Sequence, residues 1–518
     1  MNLTLAPILR WFPVCLSLAG LLSSGFVHAQ ATMPLGVFQG QNDIGTALHP
    51  GSAQYNAGKG AYTVSGNGAN MWFGTDDFHY VWTKVSGDVA LTADIDFAGA
   101  TGNAHRKAAL MLRQSLDPHS VYVDAARHGD GLTSLQYRDA TNADTHEMET
   151  AANAPHRLRI EKRGNYAYVF IPDASGQMVP SGAAMHVDLN GAFYVGLGVC
   201  SHDKDATETA IFSNVKIERL APTAAKPVLY STLETVIVAS TDRRVRYVAP
   251  AHIEAPNWTR DGAALIFNQD GTMYRWRLDN GIHPIDSTLP LATAPTLIGT
   301  APESACNNDH GLSPDGTQLA ISDRGADGKS RVYIVPSAGG TPRQITPDGP
   351  SYWHGWSPDG KTIAFTGQRA GEFDIYTVPV TGGPETRLTT AAGLDDGPEY
   401  SPDGGWIYFN SVRTGHMQIW RMHPDGSQQE QVLVDERNDW FPHISPDGKL
   451  MVWMSFLPGV EGHPANQEGV EIRMMALADK KVKTLAKLFG GQGTLNVPSW
   501  SPDSSMVAFV SYEMLPPE

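Results

Sequence analysis

Across residues 89–97 apolar and polar side chains alternate with a period of two, Val89, Leu91, Ala93, Ile95 and Phe97 pointing one way and Thr92, Asp94 and Asp96 the other. That is the signature of a strand with one face turned to a core. Residues 156–163 and 166–171 repeat the pattern around Gly164-Asn165, which reads as a hairpin turn. Residues 120–125, 134–138, 193–199 and 210–219 add further short strands, and no stretch carries a helical period. Seven or more strands without a helix predict a β-sandwich over residues 30–220, and residues 221–227, rich in Pro and Ala, read as a linker.

Beyond the linker the pattern changes from alternation to repetition. One turn recurs six times: Thr259-Arg260-Asp261-Gly262, Ser313-Pro314-Asp315-Gly316, Ser357-Pro358-Asp359-Gly360, Ser401-Pro402-Asp403-Gly404, Ser445-Pro446-Asp447-Gly448 and Ser501-Pro502-Asp503-Ser504. Asp315, Asp359, Asp403 and Asp447 follow one another at intervals of 44 residues, about the length of one four-stranded propeller blade. A bulky residue precedes each turn (Trp258, Leu312, Trp356, Tyr400, Ile444, Trp500), placed to wedge between neighbouring sheets. Pro fixes φ, Asp bonds nearby amides and Gly accepts a positive φ, so the turn is needed for geometry and not for chemistry. The sixth copy runs out of chain with strands missing. Residues 235–239 and 244–248 supply two, which predicts a six-bladed ring over residues 228–518 without exposed sheet edges.

These repeats resemble the TolB-type propeller family of exported bacterial proteins, over about residues 228–518. That family's name-giving member carries an α/β domain ahead of its propeller and works in envelope maintenance with Pal, whereas the leading domain here is all-β, so the resemblance speaks to fold more than to role. The leading domain resembles the concanavalin-A-like jelly-roll modules of secreted carbohydrate-active proteins. Its aromatic stretch, Trp72-Phe73 and then Phe78, Tyr80 and Trp82, reads either as core or as a platform for a sugar ring.

Composition narrows the setting. Lys and Arg number 38 against 54 Asp and Glu, a formal charge of −16, and no basic run interrupts it, which argues against a nucleic-acid partner. Residues 1–29 read as a signal peptide: Arg10, an apolar stretch over 11–22, then Val27 and Ala29 before a cleavage ahead of Gln30. Cys15 lacks a lipoprotein context, and no later stretch is long and apolar enough to insert in a membrane. The expectation is a periplasmic or secreted protein. Cys200 and Cys306 remain in the mature chain, either bridged or as two buried thiols.

Candidate chemistry concentrates on one face of the expected propeller, where the links into the inner strands are rich in His, Asp and Asn. Asn308, Asp309, Tyr352, Asp395, Asp396, Asn438 and Asp439 are candidate ligand-binding residues there. His310 and His354 occupy the same repeat position in neighbouring blades, and with Glu399 and His443 one position further on they suggest one divalent metal ion held by His310 and His354. Glu399 and His443 are the candidate catalytic pair. Arg324, Arg369 and Arg413, at matched positions between the second and third strands, would suit an anionic ligand or serve as turn elements. The loop 457–470, with His463, has the length of a binding loop.

Two functions compete. One is binding of a saccharide or a cell-envelope component at the propeller mouth. The other is a metal-assisted polysaccharide or oligouronide lyase, or another carbohydrate-active enzyme. Oligogalacturonate lyases use a related propeller with a His-lined metal site, but theirs has seven blades, so no catalytic residue is carried over. No nucleophile elbow, phosphate loop or dinucleotide fingerprint is present. Oligomeric state is left open.

Overall fold

The computed structural model describes residues 35–222, 225–278, 294–369 and 371–517. The expected signal peptide lies outside the described residues. The chain is all-β, with one short 3-10 turn at Gln492–Thr494 among the described residues.

The N-terminal strands form two sheets that share one apolar core. One sheet runs in the order Met178–His186, Tyr166–Pro172, Arg157–Arg163, Val89–Phe97, Asp203–Arg219, Ala61–Gly68 and Ser52–Asn56. The other begins Gly40–Ile44, Phe78–Ser86, Ala192–Cys200, Lys107–Arg113, Tyr122–His128, Leu132–Arg138 and His146–Asn153. Leu91, Ala93 and Ile95 meet Leu110, Leu112, Val123, Leu135, Val195 and Phe212 between them, as the alternation predicts. Each such Leu, Val or Phe contributes roughly 1.5–3 kcal/mol by leaving water. The polar face of residues 89–97 is less wet than its pattern suggests. Asp94 is buried against Arg157, at 2.5 and 2.9 Å, and accepts a bond from Asn214 at 2.7 Å.

Among the described residues five separate four-stranded blades follow, their inner strands being Ile253–Trp258, Cys306–Leu312, Ser351–Trp356, Asp395–Tyr400 and Asn438–Ile444. The expected six-bladed ring is corrected on this point. The strands foreseen as the sixth, Val228–Ile237, Arg243–Ala249 and Met506–Leu515, do pair: the first strand after the linker runs antiparallel to the last strand of the chain, Val228 opposite Leu515 through Ile237 opposite Met506. They are not a sheet of their own, because Arg243 and Arg244 pair in parallel with Met148 and Glu149. That joint merges them with the N-terminal strands into one ten-stranded sheet.

The repeated turns work as their chemistry requires. In each Ser-Pro-Asp copy the Ser hydroxyl donates to the Asp carboxylate at 2.6–2.7 Å and accepts the amide five residues on, at 2.9 Å in Thr362. The Gly takes φ near +70°, where a side chain costs energy. The bulky residue before the turn pins one blade to the preceding one: Trp356 Nε1 donates to the Gly311 carbonyl and Trp500 Nε1 to the His443 carbonyl, both at 3.0 Å. Cys200 and Cys306 are both free and buried.

Candidate functional site

All five inner strands break register with the second strand of their blade partway along: between Glu254 and Asn257, Cys306 and His310, Trp353 and Gly355, Asp396 and Glu399, and Trp440 and His443. A bulge re-aims the side chains that follow it. Ala255, Gly397 and Phe441, at one equivalent position, adopt φ of +57°, +63° and +55°. At Gly397 a Cβ would lie 2.7 Å from Asn410 Oδ1 and 2.9 Å from Phe441 Cδ1, so a larger residue would force those side chains to shift. The repeat thereby turns polar side chains from several blades toward one another, at the end opposite the Ser-Pro-Asp-Gly turns.

His354 stands at the centre. Its Nε2 lies 3.4 Å from Asp396 and 3.8 Å from Asp309, and its ring stacks on Phe441 with centroids 5.7 Å apart. Asp396 accepts from Thr366 Oγ1 at 2.7 Å and from the Gly397 amide at 2.8 Å, and His463 Nε2 approaches it at 3.9 Å. Asn496 donates to Asp309 at 2.6 Å. His463 packs edge-on against Trp440, at 4.6 Å. The cluster alternates in charge and is closed by aromatic walls.

Its titration follows from that arrangement. Burial would depress the His354 imidazole, but its bond to Asp396 and the charge of Asp309 outweigh this and raise it. Burial would likewise raise Asp396, and the interactions with His354 and His463 lower it instead. Asp309 is pushed up to about 6, first by burial and further by Asp396, with His354 opposing. Glu254 is pushed up to about 7 by burial and by the Asp309 and Asp270 charges. Tyr352 is raised by burial and then by Asp309, with Arg324 opposing, which places both near this cluster.

Other candidates from the sequence land elsewhere. Arg369 grips Glu385 at 2.8 and 3.0 Å and the Pro350 carbonyl at 3.0 Å, as the turn-element alternative requires. Arg413 is held in the same way, bound to Asp395 at 2.8 Å and Gln429 at 2.6 Å and lying over Trp420. Asp395 is thereby committed too. Arg324 is exposed and makes no ion pair among the described residues. Asn438 anchors the 457–470 loop, donating to the Val460 carbonyl at 3.0 Å and accepting the Met417 amide at 3.2 Å. Asp439 lies inside its own blade, bonded by Trp453 Nε1 at 2.9 Å and by the Ser455 hydroxyl, and burial pushes it up to about 7. Asn308 is buried, and its amide nitrogen has no hydrogen-bond partner.

His310 does not join His354. Its ring is enclosed with neither nitrogen making a well-aligned hydrogen bond among the described residues, and burial pushes it down to about 4 against the opposing backbone groups of Asn307, Ala255 and Ile266. Among the described residues no three of His, Cys, Asp and Glu form a group that could hold a metal ion, so the His310 and His354 pair does not fit the expected divalent-metal centre. Glu399 and His443 do meet. Nδ1 of His443 is 2.5 Å from Glu399 Oε2, the Ile444 amide donates to Oε1 at 3.1 Å, and His443 Nε2 is buried without a partner. Glu399 also lines a cavity of about 340 Å³ at the Ser-Pro-Asp-Gly end of the channel, with Trp258, Arg260, Trp356, Tyr400 and Trp500.

Glu254 and Asn496 belong to the site and were not singled out from the sequence. The signal was available: both stand four residues before the wedge residue of their repeat, the register of Asp396. His463 comes from the long loop, where no repeat position announces it.

Comparison with known proteins bears on the propeller. The model of the TolB beta propeller domain matches residues 348–515. An uncharacterised protein of Agrobacterium fabrum is 46% identical over 282 residues, spanning 54% of this chain and 92% of that protein. A solved structure of a TolB candidate from Agrobacterium tumefaciens is similar at 46% identity with a TM-score of 0.52, covering 55% of this chain and 99% of its own. TolB from Acinetobacter baumannii is similar at 14% identity and a TM-score of 0.40, covering 64% and 79%.

Proposed function

Because the chain belongs to the TolB-type β-propeller family, we propose that it is an exported propeller protein that binds a saccharide or another cell-envelope component at the channel mouth. The observation that carries this reading is the meeting of Asp309, His354, Asp396 and His463, drawn from separate blades, against the Phe441 and Trp440 rings. Donors and acceptors beside aromatic faces suit a hydroxyl-rich ligand. With Arg369 and Arg413 committed to Glu385 and Asp395, Arg324 alone of the three matched arginines makes no ion pair among the described residues, so the mouth offers an acidic group on its ligand one guanidinium and not three. Export to the periplasm or beyond rests on the leader over residues 1–29. We read residues 30–220 as a concanavalin-A-like module, residues 221–227 as its linker and residues 228–518 as the propeller, closed through its last strand.

Calorimetric titration of the mature protein with neutral oligosaccharides and soluble peptidoglycan fragments tests the proposal. One of these should bind at one per chain, and Asp396→Asn should weaken it at least tenfold by removing the charge that faces His354. Full affinity in that variant would count against the site.

A carbohydrate-active enzyme is the second reading, and the Glu399–His443 pair favours it. A carboxylate bonded to Nδ1 orients an imidazole as a general base, and Glu399 opens on a cavity. For the metal-assisted lyase form of this reading, no three-ligand group is found among the described residues. A product formed by the wild type and lost in His443→Ala would support the enzyme.

A further inference from the structure

The end of the channel opposite the mouth is shaped by the repeat itself. The six residues that wedge between blades, Trp258, Leu312, Trp356, Tyr400, Ile444 and Trp500, all line the cavity of about 340 Å³ there. Pro314, Pro358, Pro402 and Pro446 of the repeated turns line it as well, and each is exposed. A space of this size lies at the small end of the range that ligand pockets occupy, about 300–1,000 Å³, and its walls are apolar and aromatic, as in such pockets. Repetition accounts for this lining, and for none of its charge.

Two residues depart from the repeat, and both are charged. Arg260 stands where the other five turns have Pro, and it lines the cavity beside those prolines. Its Nε donates to the Ser313 carbonyl at 3.1 Å and its Nη2 to the Leu312 carbonyl at 2.9 Å, which pins the guanidinium against the next blade, while Nη1 makes no well-aligned hydrogen bond among the described residues. Glu399 holds the position before the wedge residue, where the other copies have Asn257, Gly311, Gly355, His443 and Ser499. It is the one carboxylate lining the cavity among the described residues, and its side chain is 10% exposed. Oε2 meets His443 Nδ1 at 2.5 Å and Oε1 accepts the Ile444 amide at 3.1 Å. One bond to each oxygen leaves about half of the carboxylate's acceptor capacity free.

Arg260 and Glu399 form no ion pair with each other among the described residues. They share a field nonetheless: desolvation by the surrounding turns lowers the Arg260 guanidinium, and the Glu399 charge, followed by that of Asp315, opposes the shift. Opposite charges held apart across an apolar cavity offer a ligand one pole for an ammonium and one for a carboxylate. The collar of the cavity favours the ammonium. Asp261, Asp315, Asp359, Asp403, Asp447 and Asp503 of the six turns are exposed, and each is lowered first by the hydroxyl of its own turn, with Lys361 and Lys449 offsetting part of the charge. An acidic rim attracts a cationic group and repels a bare carboxylate.

We infer that this cavity binds a small zwitterion, an α-amino acid with an aromatic side chain: Glu399 takes the ammonium, Arg260 the carboxylate, and the wedge residues the side chain. The site is separate from the propeller mouth, and it depends neither on the ligand proposed there nor on catalysis by Glu399 and His443.

Calorimetric titration of the full mature chain with L-phenylalanine, phenylethylamine and phenylpropanoate tests the inference. Phenylalanine should bind at one per chain. Phenylethylamine, which lacks the carboxylate, should bind at least tenfold more weakly, and phenylpropanoate, which lacks the ammonium, more weakly still. Arg260→Pro restores the turn that the other five copies use, so it should unfold as cooperatively as wild type while bringing phenylalanine down to the affinity of phenylethylamine. Glu399→Gln, which keeps the side chain's shape, should weaken phenylalanine and phenylethylamine alike, at least tenfold. Asp396→Asn at the mouth should leave the affinity for phenylalanine as it was, which separates the two sites. Phenylalanine that does not bind, that binds no better than phenylpropanoate, or that is indifferent to both Arg260→Pro and Glu399→Gln would overturn it.

Discussion

Asp309 and His354 share one field, and the pH dependence of the fold should report it. A carboxyl raised from its ordinary value to about 6 holds, in the folded state, a proton that the unfolded chain releases between about pH 4 and 6. Its contribution is complete below pH 4 and lost as pH rises, by about 3 kcal/mol at most at 1.36 kcal/mol for each pH unit. His354, also raised, acts in the same direction, its contribution being present below about 6.5 and lost as pH rises through its folded value. Asp396, lowered, acts oppositely and only in acid. Asp309→Asn should therefore unfold at a higher denaturant concentration than wild type at pH 7.5, with the difference vanishing by pH 4. A difference independent of pH would contradict the assignment. Residue identity was legible in the sequence here, but partnership was not. Arg369, Arg413 and Asp395 have the right spacing for a ligand site, yet each finds a partner about 16–18 residues away in its own blade, which repeat position alone cannot announce.

At the scale of the turn, the sixth copy of the repeat carries its own experiment. Ser504 stands where the others have Gly and takes φ +64°. A side chain in that region costs roughly 1–2 kcal/mol, offset in part by the greater freedom of glycine in the unfolded chain. Ser504→Gly should raise stability by about 0.5–1 kcal/mol in denaturant titration, and a loss would mean that its hydroxyl bond to the Asp447 amide, at 3.2 Å, outweighs the strain. Turns of this kind were read correctly because Pro, Asp and Gly dictate them locally. The merged sheet was not read, because the pairing of Met148 and Glu149 with Arg243 and Arg244 joins positions about a hundred residues apart and leaves no periodic trace.

Across the whole molecule, that joint ties the N-terminal strands to the propeller strands. Lys487 reaches Asp139 at 2.9 Å, and Gly182, at φ +78°, lies so close that a Cβ would meet Val248 at 2.6 Å and Thr232 at 2.7 Å. Gly182→Val should pry the contact open and split one calorimetric unfolding transition into two. An unchanged thermogram would show that the two parts are not energetically coupled there.

The central claim is that a ligand sits among Asp309, His354, Asp396 and His463, and the imidazoles can report it themselves. With ring-¹³C-labelled histidine, addition of a binding oligosaccharide or peptidoglycan fragment should shift the His354 and His463 signals, assigned by single substitution, and leave the enclosed His310 signal in place. Binding with His354 and His463 unmoved would contradict the account.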